Sequence, residues 1–113
     1  MRIKILDLAE RDLIEGFRFY EAQESGLGAY FLTNLYADIE SIRIYAGVHE
    51  KPFKAYYRML ARRFPFALFY TFEKNTVSIH AVLDCRRDPA WTRNRSIKTV
   101  NTKLEGAQIR TDT

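Results

Sequence analysis

The spacing of hydrophobic and polar positions along this chain changes its period once, near residue 50. At the start, Ile3 and Ile5 alternate with Arg2, Lys4 and Leu6, which predicts a short strand over residues 1–6. Leu13, Ile14, Phe17 and Tyr20 then recur at helical spacing, with Arg11, Glu15, Arg18 and Glu21 on the side expected to face water. Asp7 stands where an N-cap is expected, and Glu10 follows three positions on, a variant of the capping box. Ser25-Gly26-Leu27-Gly28 interrupts the helical period. A second helix is predicted from about Ala29 to Tyr45, where Phe31, Leu35, Ile39 and Ile42 form one stripe and Leu32 and Tyr36 widen it. So short a link makes the two helices an antiparallel hairpin. Gly47 to Pro52 reads as a loop.

Beyond that loop the period is two. Ala55–Leu60 and Phe66–Phe72 read as strands, the latter with Phe66, Leu68, Tyr70 and Phe72 on one face. Glu73-Lys74-Asn75-Thr76 is a turn. Val77, Ile79, Ala81 and Leu83 then line one face of a last strand, and Ser78, His80, Val82 and Asp84 the other. Three strands on short links make an antiparallel meander whose apolar face the helices should cover. The order β-α-α-β-β-β predicts an α+β domain over residues 1–95, with 96–113 a polar, weakly ordered tail.

Composition narrows the classes. A chain of 113 residues holds one real core. Its apolar runs are too short to span a bilayer, and the N-terminus lacks the long apolar region of a secretory signal. A soluble, cytoplasmic protein is expected. Charge is unevenly spread: residues 1–50 carry five basic and nine acidic side chains, whereas 51–113 carry thirteen basic and five acidic, eight of the thirteen being arginine. Such a split either points to an anionic partner for the basic half or is evened out when the halves fold together.

Two histidines and one cysteine, at no ligand spacing, make no zinc site. Phosphate-cradling and nucleophile-elbow motifs are absent, so neither a metal nor a cofactor is expected. The remaining candidates are arginines. Arg58 and Arg62 share parity if their strand reaches that far, with Arg63 opposite or on the next turn, and Arg86 and Arg87 leave the last strand nearby. Planar guanidinium groups match phosphate and carboxylate, so this set either clamps an anion or pairs with helix carboxylates such as Glu10 or Glu21. His80 is a candidate general acid or base, or a packed strand histidine. Trp91 is either a stacking platform or an anchor on the core.

Several segments, in order, resemble the ParE/RelE superfamily of toxins from type II toxin–antitoxin modules. They are Ala9-Glu10-Arg11-Asp12-Leu13, Phe19-Tyr20-Glu21, Gly26-Leu27-Gly28 with Phe31, and Tyr57-Arg58 with Leu60. Arg62 through Tyr70 follows, then Val82-Leu83-Asp84, Arg86-Arg87-Asp88-Pro89, Trp91 and Arg95. The likeness is nearest the ParE-like plasmid-stabilisation branch. It implies the same β-α-α-β-β-β fold and a growth-arresting toxin, neutralised by a cognate antitoxin whose C-terminal segment wraps it and masks its basic surface. Arg58, Arg62, Arg63, Arg86, Arg87, Trp91, Arg93 and Arg95 are the residues expected to meet antitoxin or target. Within the superfamily, ParE-like members poison DNA gyrase and RelE-like members cut messenger RNA on the ribosome. Arg62, Arg63, His80, Arg86 and Arg87 are the catalytic candidates for the second activity. Ala67 stands where such nucleases carry an arginine, and no tyrosine follows Tyr70, which favours gyrase. A degenerate member that binds antitoxin without toxicity is the third reading.

Overall fold

A computed structural model describes residues 1–53 and 56–86. Its elements are β1 (Arg2–Ile5), α1 (Asp7–Gln23), α2 (Leu27–Tyr45), β2 (Glu50–Phe53), β3 (Tyr56–Leu60), β4 (Phe66–Glu73) and β5 (Thr76–Asp84). The predicted strand, helical hairpin and meander are all present, so the fold is α+β as expected. One short strand is added: β2 lies where a loop was expected, pairing along β3 with an irregular register. Everything from Arg87 onward, including the predicted 96–113 tail, lies outside the described residues.

The helices are capped differently from the sequence expectation. Leu6 occupies the N-cap position of α1 without a side-chain bond, and Asp7 is already in the first turn. Glu10 N–H closes that turn onto the Leu6 carbonyl at 2.9 Å, so Asp7 and Glu10 favour the helix through its dipole rather than through a capping box. α2 begins two residues early, after the left-handed Gly26. Its first N–H groups are taken by Glu21 of α1, whose carboxylate accepts from Gly26 at 3.1 Å and Gly28 at 3.0 Å. Glu21 is therefore half-buried and engaged, not the solvated residue its position on the helix suggested.

Close approach of the helices turns α1 about its axis. A Cβ at Gly16 would sit 2.5 Å from the Phe31 ring, and one at Gly28 would sit 2.7 Å from Phe17. These crossed contacts, 16 with 31 and 17 with 28, show that the hairpin is antiparallel. With Phe31 seated over Gly16, the buried stripe of α1 is Ala9, Asp12, Leu13, Gly16 and Tyr20, and Ile14 is left 43% exposed. The α2 stripe of Phe31, Leu35, Ile39 and Ile42 is buried as predicted, while Tyr36 is exposed.

One sheet holds all the strands in the order β1-β5-β4-β3-β2, with β1 parallel to β5 and the other pairs antiparallel. Between β4 and β5, Phe69 faces Ala81 and its neighbour Tyr70 faces Ile79, so His80 is an extra residue, a β-bulge. A slip of one reverses the faces downstream. Val77 and Ile79 join the core beneath the helices, but so does Val82, and Ala81 and Leu83 turn to the other face. The single predicted face of Val77, Ile79, Ala81 and Leu83 is thus broken at His80. Two apolar clusters result: the main core under the helices, and a smaller one of Tyr56, Ala67, Phe69 and Ala81 on the opposite face.

Beyond Ile79, β5 has lost β1 as a neighbour. There the buried carboxylate of Asp12 accepts the Val82 N–H at 2.9 Å, so α1 supplies the hydrogen bond that a strand would otherwise make.

Candidate functional site

The candidate arginines among the described residues fall into two places. Arg58 lies opposite Phe69, on the sheet face away from the helices. Its charge reaches Cys85, whose thiol burial nonetheless pushes upward. β3 ends at Leu60, before Arg62, so the expected sharing of a face by Arg58 and Arg62 does not occur. The chain instead bends toward α2. Asp38, buried on that helix, accepts the Arg62 backbone N–H at 3.2 Å and its Nε–H at 3.3 Å. Arg62 does pair with a helix carboxylate, but the partner is Asp38, not Glu10 or Glu21.

This bend carries Phe64 onto the helix pair. Its ring lies 4.9 Å from Tyr20, 5.1 Å from Phe31 and 5.8 Å from Tyr30. Two backbone bonds hold the segment: Ala61 N–H to the Phe66 carbonyl at 2.9 Å, and Cys85 N–H to the Pro65 carbonyl at 2.7 Å. The second brings the end of β5, and Arg86 with it, against the same corner.

Arg86 is held by several partners at once. Its guanidinium donates to Tyr20 Oη at 2.8 Å and to both Asp84 oxygens at 3.2 and 3.1 Å. It also lies over the Phe19 and Tyr20 rings, with its carbon 5.7 and 5.6 Å from their centroids. Hydrogen bonding to Asp84 holds Arg86 still more firmly in its charged form. The Tyr20 hydroxyl is pushed up by burial, and the neighbouring Arg86 charge opposes that shift.

Arg86 therefore lies on an aromatic wedge of Phe19, Tyr20, Phe64 and Tyr30, and Arg62 and Arg63 immediately precede its Phe64 in the chain; Phe19 and Tyr30 are each about half exposed. Arg87, Trp91, Arg93 and Arg95 lie outside the described residues. Sequence reading did not single out Asp38, yet a signal existed: a carboxylate inside the stripe of Leu35, Ile39 and Ile42 must find a donor there.

His80 sits apart from this corner. Its Nε2 lies 3.0 Å from Thr71 Oγ1, its ring meets Tyr56 edge-on at 5.1 Å, and its Nδ1 is buried without a hydrogen-bond partner. Burial pushes its pKa down to about 4, so at neutral pH the ring is the neutral imidazole and lacks the second proton that a general acid would give up. The geometry is that of a packed strand histidine. His49 lies beside the fully buried Tyr70, whose hydroxyl also accepts the Gly47 N–H at 3.2 Å. The pair ties the approach to β2 onto β4.

Among the described residues, no three His, Cys, Asp or Glu side chains converge as metal ligands, and no helix is long and apolar enough to cross a membrane. No family model and no curated protein sequence matches the chain. A solved chain described as the chromosomal ParDE TA system from P. aeruginosa superposes with a TM-score of 0.61 at 14% identity, over 73% of this chain and 92% of that one. At that identity the likeness is one of fold.

Proposed function

We propose that this chain is the toxin of a ParDE-like toxin–antitoxin pair, and that the corner formed by Arg62, Arg63 and Arg86 meets the antitoxin. The fold likeness to the ParDE system carries this reading, because it spans nearly the whole of that chain and most of this one. The corner adds chemistry that suits the role. Cations mounted beside half-exposed aromatic rings are poised for an acidic segment with apolar side chains.

Gyrase is the target we favour over messenger RNA. Ribonuclease chemistry needs a group that can move a proton near neutral pH, and His80 is buried with its pKa pushed down. Ala67, at the position where RelE-like nucleases carry an arginine, is buried in the sheet.

Inducing the chain alone in bacteria should arrest growth, and co-expressing the adjacent small reading frame should restore it. Purified protein should inhibit gyrase supercoiling and leave translated messages uncut in primer extension. Harmless induction overturns the toxin reading, and cut messages overturn the choice of target.

A further inference from the structure

We infer that Arg63 is the residue through which this corner recognises its partner, and that the group recognised is a side-chain carboxylate of a peptide flanked by apolar residues. The inference rests on the reading that the corner meets an acidic protein, and it names the contact.

Three arginines among the described residues stand at the corner, but two already have carboxylates. Asp38 lies 3.3 Å from Arg62, and Asp84 lies 3.1 Å from Arg86. Each pair is built in. Asp38 is buried and also holds the Arg62 backbone N–H, while Asp84 also accepts the Arg86 N–H at 2.8 Å. An incoming anion at either guanidinium meets a charge that a tethered carboxylate already offsets. Arg63 differs. It is exposed, and among the described residues it has neither an ion pair nor a hydrogen bond. Its neighbour Phe64 is wedged between Tyr20 and Tyr30, so its backbone is fixed while its side chain is available.

The same arithmetic separates peptide from nucleic acid. Arg62, Asp38, Arg63, Arg86 and Asp84 together carry one net positive charge. A duplex presents a phosphate charge about every 1.7 Å, and its affinity comes from neutralising several at once. One available cation among the described residues of the corner is a poor match for that. It is a good match for a single carboxylate, and Phe64, the next residue in the chain after Arg63, packs on Tyr30, whose exposed half gives apolar surface at the same corner.

NMR titration of the full chain tests this with three probes: blocked Leu-Glu-Phe, its Leu-Gln-Phe counterpart and a single-stranded RNA hexamer. The acidic peptide should shift the Arg63 Nε–H signal and the ring signals of Phe19 and Tyr30. Arg63→Gln should weaken its binding about fivefold, the size of one exposed charge pair, and Arg62→Gln less than about twofold. Circular dichroism checks that both variants are folded. Equal binding of the Gln peptide, tighter binding of RNA at the same signals, or equal damage from both variants would overturn the inference. Peptide binding through Arg63 without growth arrest refutes the toxin reading and leaves this one standing; growth arrest without peptide binding does the reverse.

Discussion

The corner around Phe64 and the bulge at His80 both hold side chains that chemistry would single out, and they are built on opposite terms. At the corner, charge stays near water. Arg62 and Arg86 have side chains 76% and 48% exposed, each bonded to a carboxylate and each beside an exposed aromatic ring or a loop. At the bulge, a titratable ring is enclosed by the sheet, with one nitrogen on Thr71 and the other on nothing. Solvated, paired cations cost little and can exchange partners, whereas a buried imidazole is held neutral and becomes part of the packing. Exposure, more than residue type, divides the two regions into a solvated, charged surface and a piece of packed scaffold.

Replacing Tyr20 with Ala should do most to collapse the distinction, since that ring touches Phe19, Phe31, Phe64 and Arg86. Removing it from the core should cost about 3–5 kcal/mol in denaturant unfolding. Tyr20→Phe, which deletes only the hydroxyl that Arg86 bonds, should cost about 1 kcal/mol. A similar loss from both would mean that the polar contact, not the wedge, holds the corner.

Acid should act on the bulge next. The folded-state pKa of His80 lies near 4, below the ordinary 6.5, so the unfolded chain takes up the proton first. Its contribution is whole above about pH 6.5 and is lost as pH falls toward 4, by up to about 3 kcal/mol. His80→Leu should flatten that part of the stability curve. His49, also lowered by burial, should account for a smaller part of the same sign. An unchanged slope in His80→Leu would show that the ring is not enclosed as described.

The smallest effect is expected at the corner's exposed edge. Arg62→Ala should cost less than about 1 kcal/mol, because the guanidinium is largely solvated and Asp38 keeps the backbone N–H of residue 62. A larger loss on thermal unfolding would place Arg62 with the scaffold.

Much of the fold could be read before any tertiary contact was known. The α2 stripe held because a 3.6-residue period needs only its own helix, and the turn at Glu73–Thr76 held because Lys74 and Asn75 take the left-handed backbone a tight hairpin requires. Other expectations failed where a distant element intervened. Ile14 lost its place in the α1 stripe to Gly16, which admits Phe31 from the second helix. Glu21 left the solvated face because α2 needed its first N–H groups bonded. The alternation of β5 broke at His80 because β4 supplies one residue where β5 supplies two. The site was less legible still: Arg62, Arg63 and Arg86 stood out by type, but nothing local told Arg58 from Arg62.

By itself, then, the sequence determined the α+β order of elements, the split of charge between its halves and the arginines that are candidates for an anion-binding surface. Tertiary structure alone decided which of them stand together and which are already matched. Asp38 meets Arg62 across 24 positions, and Tyr20 meets Arg86 across 66. The physical reason is one of range. Periodicity and turn chemistry act over a few residues, whereas the effective charge of an arginine depends on the carboxylate and the water beside it, which only the packed chain brings into place.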